Sequence, residues 1–303
     1  VIDFHIEPTS KCTLECPLCS RTWFYEKYKK RSLHEVDVDN LTRFVGKNKK
    51  LSLCGNHGDP IYHSKFIELC RKLKDNNCEL RIITNGSSKT KKWWQELNSV
   101  LEENDTIVFS IDGLEDTNHI YRINAKWKSI MDAIQVLQTR KCKIQWKFIV
   151  FKHNQHQIKD AEALSKKIGF DQFNVEHSDR WLGKKDLMPD KEFVDEGYKQ
   201  SEEILTNPNF TTTMSPRCLR DGMPGNSLYI DAEGDFYPCC WMASYHYKYK
   251  SIFSPKVKRS FNIKDNTIED ILEWAEVKEF FDSTKQFTSA HECCKIKCGV
   301  KNG

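Results

Sequence analysis

Residues 7–21 read "EPTSKCTLECPLCSR" and place Cys12, Cys16 and Cys19 in a C-x3-C-x2-C spacing directly after the apolar run "VIDFHI". A loop of this kind supplies three thiolates to a cubane 4Fe–4S cluster. Such clusters are normally held by four cysteines, so a three-cysteine loop leaves one iron open to a substrate or cofactor. Zinc is the rival metal, but its structural sites usually complete four ligands locally. Six further cysteines gather late in the chain, at Cys218, Cys239, Cys240, Cys293, Cys294 and Cys298, while Cys54, Cys70, Cys78 and Cys142 sit singly in apolar patterns. An odd total of 13, clustered in this way, points to metal ligation in a reducing, cytoplasmic setting rather than to a disulfide scaffold.

The elements that must position these thiols follow from periodicity. Strand-like runs occur at 1–6, 50–54, 79–84, 105–111, 143–151 and 173–176, and between them lie stretches of helical spacing at 38–47, 64–75, 91–103, 127–139 and 157–169. Strands alternating with helices predict βα units and a parallel sheet. Six strands at this spacing suit a partial (β/α)6 barrel, an α/β fold, since a closed eight-stranded barrel usually needs about 250 residues. The alternation stops near residue 178. A polar bridge with one helical patch near 191–205 follows, and then "SLYIDAEGDFYPCCW", whose alternation around "AEGD" predicts a β-hairpin. A last helix is expected over 267–283, capped by Asn266 or Thr267. The expected organisation is a barrel over 1–180, a bridge over 181–215 and a small C-terminal domain of hairpin plus helix over 216–303.

Composition narrows the function classes. Within 303 residues, 47 basic and 43 acidic side chains leave a net charge of +4, too near balance to argue for nucleic acid. No stretch approaches the roughly 18 apolar residues of a membrane span, and no secretory leader is expected. The chain opens on Val1 rather than Met, so some N-terminal sequence is expected to be missing. The aromatic and basic run at 245–259 reads as a solvated loop beside the cluster, with contact to RNA or an acidic peptide as the second reading, and "EKYKKR" at 26–31 as the exposed end of a helix after the cysteine loop.

The C-x3-C-x2-C loop after the first strand of a βα chain resembles the radical SAM superfamily. The resemblance implies that the open iron is chelated by S-adenosylmethionine, which is cleaved reductively to a 5′-deoxyadenosyl radical that abstracts a substrate hydrogen. It extends to "CGNHGDPIYHS" after the second strand, where Gly58, Asp59 and Pro60 match a Gly-Gly-Glu-Pro-like turn, with Asp59 in place of Glu and His57 in place of Gly. "TNG" at 84–86 is also common in the family at this place. "SIDGLEDTNHIYR" resembles the Ser-x-Asp-Gly…Tyr-Arg pattern of the branch with extra C-terminal clusters. Carried over, Gly58, Asp59, Pro60, Ser110, Asp112 and Arg122 would bind the cofactor, with Arg122 near its carboxylate and Asp112 either touching it or shaping the loop. The residue before the third loop cysteine is often aromatic in the family. Here it is Leu18, so adenine contact would be weaker or pass to Trp23, Phe24 or Tyr25.

Gly234-x4-Cys239 followed by later cysteines resembles the SPASM and twitch extensions, which bind auxiliary iron–sulfur clusters. Adjacent cysteines on a strand point oppositely, so one of each doublet is expected to ligate. That leaves Cys218, Cys239, Cys294 and Cys298 for one auxiliary 4Fe–4S cluster of a twitch-like domain. Cys239 is preferred by the Gly-x4-Cys register and Cys294 over Cys293 more weakly; structural zinc on these four thiols is the alternative. What the resemblance implies is a radical oxidoreductase or maturase acting on a ribosomally made peptide or protein. Dehydrogenation or other modification of a sugar-like or nucleotide small molecule is the second reading. A non-catalytic metal-cluster module binding RNA or protein is the third. An electron donor such as flavodoxin or ferredoxin is the expected partner, beside a peptide or small-molecule substrate and with neither a membrane nor a nucleic acid.

Overall fold

The computed structural model describes residues 2–30, 33–178, 181, 184–194, 203–204, 206–207, 209–244 and 260–300. The six expected strands form: β1 (Phe4–Ile6), β2 (Lys50–Leu53), β3 (Glu79–Thr84), β4 (Thr106–Ser110), β5 (Lys143–Val150) and β6 (Gln172–His177). They pair in that order, every neighbouring pair parallel. Helices α1 (Ser20–Tyr28), α2 (Val38–Val45), α3 (Phe66–Asp75), α4 (Lys91–Val100), α5 (Asn118–Tyr121), α6 (Trp127–Val136) and α7 (Ile158–Lys167) fill the crossovers. Their starts follow local chemistry. The Asp37 carboxylate accepts from the Asn40 N–H to cap α2, and the Thr90 hydroxyl accepts from the Trp93 N–H to cap α4.

Strand alternation separates two faces. Phe4, Ile6, Leu51, Leu53, Ile82, Phe109, Trp146 and Phe148 face the helices and form the main core. His5, Ile83, Ser110, Lys147 and Ile149 line a chamber on the other face. The helix-facing side chains are close to fully buried. Truncating Trp146 to Ala would cost about 3–5 kcal/mol.

The C-terminal hairpin, expected in a small domain of its own, lies on the barrel sheet. Leu228–Ile230 pairs parallel with β1, in register Phe4 with Leu228 and Ile6 with Ile230. It turns through residues 231–235 into the antiparallel strand Phe236–Tyr237. The sheet thus has eight strands, and β1 is an inner strand.

The expected helix over 267–283 is broken in two. Thr267 caps Ile268–Glu273 in a capping box with Asp270, and Ala275–Ser283 follows. Between them Trp274 is extended (φ −63°, ψ 136°), its ring edge-to-face with Phe261 at 5.0 Å. Packing of that indole overrides a sequence pattern that would let the helix continue. Most of the helical patch expected near 191–205, and all of 245–259, lie outside the described residues.

Candidate active site and metal centres

A chamber of about 250 Å³ opens at the carboxyl ends of the strands, where parallel β/α sheets bind ligands. Its wall brings together Cys12, Cys16 and Cys19 of the first loop, Gly58 and Asp59 of the second, Thr84 and Asn85 of the third, and Ser110 and Arg122 after β4. Pro60 and Asp112 stand just behind it. Pro60 opens a buried short helical turn, Pro60–Tyr62.

Each loop thiol is met by a different turn. The Leu14 N–H and the Asn85 side-chain amide point to Cys12 Sγ at 3.4 and 3.9 Å. Arg122 Nη1 lies 3.9 Å from Cys16 Sγ, and the Cys19 thiol donates to the Asn56 carbonyl at 3.9 Å. Burial pushes the Cys12 thiol up to about 12 and Cys16 up to about 11, the latter opposed by the Arg122 charge. A bound cation would offset that desolvation.

Asp112 does its work through Arg122. Its Oδ2 accepts from Arg122 Nε at 2.6 Å, and its Oδ1 accepts from the Ile149 N–H at 2.8 Å. The turn that follows Asp112 needs Gly113, whose φ is +143° and whose added Cβ would stand 2.3 Å from Thr117 Oγ1. Asp59, on the chamber wall, is likewise engaged by protein groups. It accepts from Thr84 Oγ1 at 2.8 Å and the Asn85 N–H at 2.7 Å, which ties the second turn to the third. Burial raises its carboxyl to about 6 against these hydrogen bonds.

The chamber's aromatic side chain is Tyr121, stacked on Phe151 with centroids 4.1 Å apart. Trp23, Phe24 and Tyr25 are absent from this wall; Phe24 is buried beside His57, and Tyr25 lines a neighbouring groove. Glu7 went unnoticed in the sequence. Its Oε1 accepts from the His57 and Gly58 N–H groups at 2.6 and 2.8 Å, and its Oε2 accepts from the Tyr229 hydroxyl at 2.9 Å. Burial raises this carboxyl to about 7. Lys147 was missed too. Its ammonium lines the chamber and has Glu176 at 3.7 Å. The signal for it was a lysine in the middle of a strand run, in register with Gln145 rather than with the apolar Trp146 and Phe148.

A second cavity is lined by Cys218, Cys239, Cys293, Cys294 and Cys298, with Trp241 and Phe280. Cys240 is not in this wall. It opens the helix Cys240–Ser244 and packs with Tyr229 and Tyr237. Cys293 and Cys294 lie on the helix Glu292–Cys298, not on a strand, so the opposed-faces argument does not apply to them and both reach the cavity. Burial pushes the Cys239 thiol up to about 11. Among the described residues no group of three or more His, Cys, Asp or Glu side chains is drawn together as for one ion. All 13 thiols are free.

The donor chemistry fits iron–sulfur clusters at both places. Soft thiols ring a space, N–H groups point at two of the loop sulfurs, and Gly58 has no room for a Cβ, which would fall 1.8 Å from the Thr9 carbonyl oxygen.

Residues 6–164 match the model of the radical SAM superfamily, and residues 218–299 match SPASM, an iron–sulfur cluster-binding domain. A curated relative is the tungsten-containing aldehyde ferredoxin oxidoreductase cofactor-modifying protein of Pyrococcus furiosus, 23% identical over 180 residues, which are 55% of this chain and 49% of that protein. The chain thus spans about half the length of the curated relative it matches. Streptococcus suis SuiB bound to S-adenosylmethionine shares the fold with a TM-score of 0.60 at 12% identity, covering 97% of this chain and 77% of that one. SuiB bound to its precursor peptide SuiA superposes with a TM-score of 0.57 at 14% identity, covering 91% and 65%. No described helix is long and apolar enough to cross a membrane. The family works with S-adenosylmethionine on a 4Fe–4S cluster, and the SPASM domain adds auxiliary iron–sulfur. From its first loop to its last cysteines, this chain belongs to the radical SAM superfamily and carries a C-terminal SPASM iron–sulfur domain.

Proposed function

We propose that the protein is a radical SAM maturase that modifies a residue of a ribosomally made peptide or protein. The observation that carries the chemistry is the single chamber shared by Cys12, Cys16, Cys19, Gly58, Ser110 and Arg122. When bound there, S-adenosylmethionine and the cluster supply a 5′-deoxyadenosyl radical, and the protein's part is to bind, orient and exclude water.

Cys12, Cys16 and Cys19 would hold the N-terminal cluster. Arg122, held by Asp112, would offer a guanidinium N–H to the cofactor carboxylate, and the Ser110 hydroxyl on the same chamber wall would add a second donor. Asp59 is engaged by Thr84 and Asn85, so the cofactor's ammonium group would meet the backbone carbonyls of the 55–58 turn, with Asp59 as a nearby charge. Glu7 fixes that turn from behind. Cys218, Cys239, Cys294 and Cys298 would hold one auxiliary cluster, all four on the protein.

The peptide reading is supported by the likeness to SuiB, a structure of which holds a precursor peptide. The test has two stages. Anaerobically reconstituted, reduced protein should release 5′-deoxyadenosine. A short precursor peptide encoded beside it should then change mass only when S-adenosylmethionine is present. Absence of nucleoside release would sink the radical reading. Release with every neighbouring peptide left unmodified would sink the peptide reading alone.

A further inference from the structure

Among the described residues, three cations, Arg21, Arg122 and Lys147, line the chamber against one carboxylate, that of Asp59. Asp59 is taken by Thr84 and Asn85, Arg122 is held by Asp112, and Arg21 gives Nη1 to the Leu14 carbonyl at 3.0 Å. Lys147 is different. Among the described residues its ammonium makes no hydrogen bond, and its ion-pair partner, Glu176, stands 3.7 Å away. An ammonium carries three donors. Here they sit on a side chain only 22% exposed, whereas Glu176 is 52% exposed and outside the chamber wall.

Strand geometry sets where that ammonium lies. β5 alternates, with Trp146 and Phe148 toward the helices and Lys147 toward the chamber. In register, Lys147 stands between Ser110 of β4 and Asn174 of β6. Neighbouring strands are about 4.8 Å apart, so Lys147 is one strand over from the Ser110 hydroxyl. Two further titratable groups of the wall, His5 and Cys54, are uncharged near neutral pH. Burial lowers the His5 imidazole to about 4, and its Nε2 donates to the Cys54 carbonyl at 2.8 Å. Burial raises the Cys54 thiol to about 11. This side of the chamber therefore offers an entering anion one enclosed ammonium and no competing carboxylate on the wall.

We propose that Lys147 is a specificity-determining residue of the chamber and pairs with a carboxylate of the substrate. The inference deepens the peptide reading above and rests on it: the residue that enters the chamber is an aspartate, a glutamate or the carboxyl-terminal residue. No bond forms or breaks at Lys147; its part is to select and orient. Ammonium and carboxylate both give up water on entering the chamber, and each regains it as a charge-assisted hydrogen bond to the other. A neutral isostere would leave the ammonium poorly matched, which is how a polar site rejects an analogue that lacks its partner.

The test uses the anaerobically reconstituted protein, saturated with S-adenosylmethionine, and capped residues as probes. N-acetylglutamate methylamide carries a side-chain carboxylate, N-acetylglutamine methylamide is its neutral isostere, and N-acetylalanine carries a terminal carboxylate. Saturation-transfer NMR titrations give their affinities. At least one carboxylate probe should bind about tenfold more tightly than the glutamine probe, as expected of one charge-assisted hydrogen bond. Which of the two does so tells a side chain from a chain terminus. Lys147→Gln should abolish the preference and Lys147→Arg should keep it. Binding of all three probes to wild-type protein within about twofold overturns the proposal. So does a preference that survives Lys147→Gln. Loss of S-adenosylmethionine from Lys147→Gln, read by equilibrium dialysis, also overturns it and gives the ammonium to the cofactor. Should Lys147→Gln lose its iron, Glu176→Gln decides. It frees the ammonium and should strengthen the preference, and a weaker one overturns the proposal. Release of 5′-deoxyadenosine by reduced wild-type protein is followed separately. Its absence sinks the radical reading, and the probe titrations still judge Lys147.

Discussion

The Tyr229 hydroxyl donates to Glu7 Oε2 at 2.9 Å, so a residue of the C-terminal hairpin holds the carboxylate that organises the N-terminal chamber. The other oxygen of Glu7 accepts from the His57 and Gly58 N–H groups. Tyr229 also lies edge-to-face with His5 at 4.9 Å, and the Asn56 side-chain amide donates to the Cys240 carbonyl at 2.8 Å. The second-strand turn is therefore anchored from the SPASM side as well as from β1.

Glu7→Ala strips two backbone N–H groups and Tyr229 of their acceptor. It should weaken S-adenosylmethionine binding by disordering the 55–58 turn, at a stability cost of about 1–3 kcal/mol. Glu7→Gln keeps the shape and should bind nearly as wild type. The two differ from wild type in pH behaviour. Burial raises the Glu7 carboxyl from 4.5 to about 7 in the folded state. Between those values the folded protein keeps a proton that the unfolded chain has released. The contribution is therefore fully present below about 4.5 and is lost as pH rises through about 7. Urea midpoints across this window should fall less steeply with pH in Glu7→Gln than in wild type; identical slopes would show that Glu7 does not titrate there.

Arg122→Ala should weaken S-adenosylmethionine about ten- to a hundredfold, the worth of a charge-assisted hydrogen bond of about 1.5–3 kcal/mol, with iron content unchanged. Asp112→Asn tests the positioning role. It removes the charge that holds Arg122 Nε at 2.6 Å and should produce a smaller loss in the same direction. Equilibrium dialysis with labelled cofactor reads both. Full affinity in Arg122→Ala would remove Arg122 from the cofactor site.

Gly58→Ala would place a Cβ 1.8 Å from the Thr9 carbonyl oxygen. Backbone cannot yield as a flexible side chain does, so the turn must move off the cluster loop. Cofactor binding and loop iron should both drop sharply. A Gly222→Ala control, at a positive-φ site with open space around it, should cost stability without affecting the cofactor.

Iron content separates the two thiol sets. Reconstituted protein should carry about eight irons, four per cubane. Cys218→Ala, Cys239→Ala, Cys294→Ala and Cys298→Ala should each reduce this toward about four and impair turnover, with some slow nucleoside release remaining in folded protein. Cys12→Ala should abolish release. The informative pair is Cys293→Ala and Cys294→Ala, because both thiols line the cavity. Retention of about eight irons in the first and loss in the second identifies Cys294 as the ligand; the reverse result assigns Cys293.

Sequence by itself determined the barrel's six strands, the five helices expected between them and the loop of Cys12, Cys16 and Cys19. Alternation of period two and stripes of period near 3.6 are local patterns, and a three-cysteine spacing on one loop is local as well. Tertiary structure decided what depends on partners far apart in the chain. Leu228–Ile230 joins the edge of β1, which no periodicity could announce because a strand does not name its neighbour. Nothing local marks Glu7; its role comes from Tyr229, 222 residues away, and from the 57–58 turn that closes around it. Asp59 and Asp112 matched family positions, yet only the fold shows them facing Thr84 with Asn85 and Arg122, respectively. Cys293 and Cys294 were read with strand geometry, but they sit on a helix whose adjacent residues, about 100° apart, can both face one cavity. For the hairpin, Glu7, Asp59 and Asp112 the deciding term is a contact between residues distant in the chain, and burial, which sets its strength, exists only once the chain has folded.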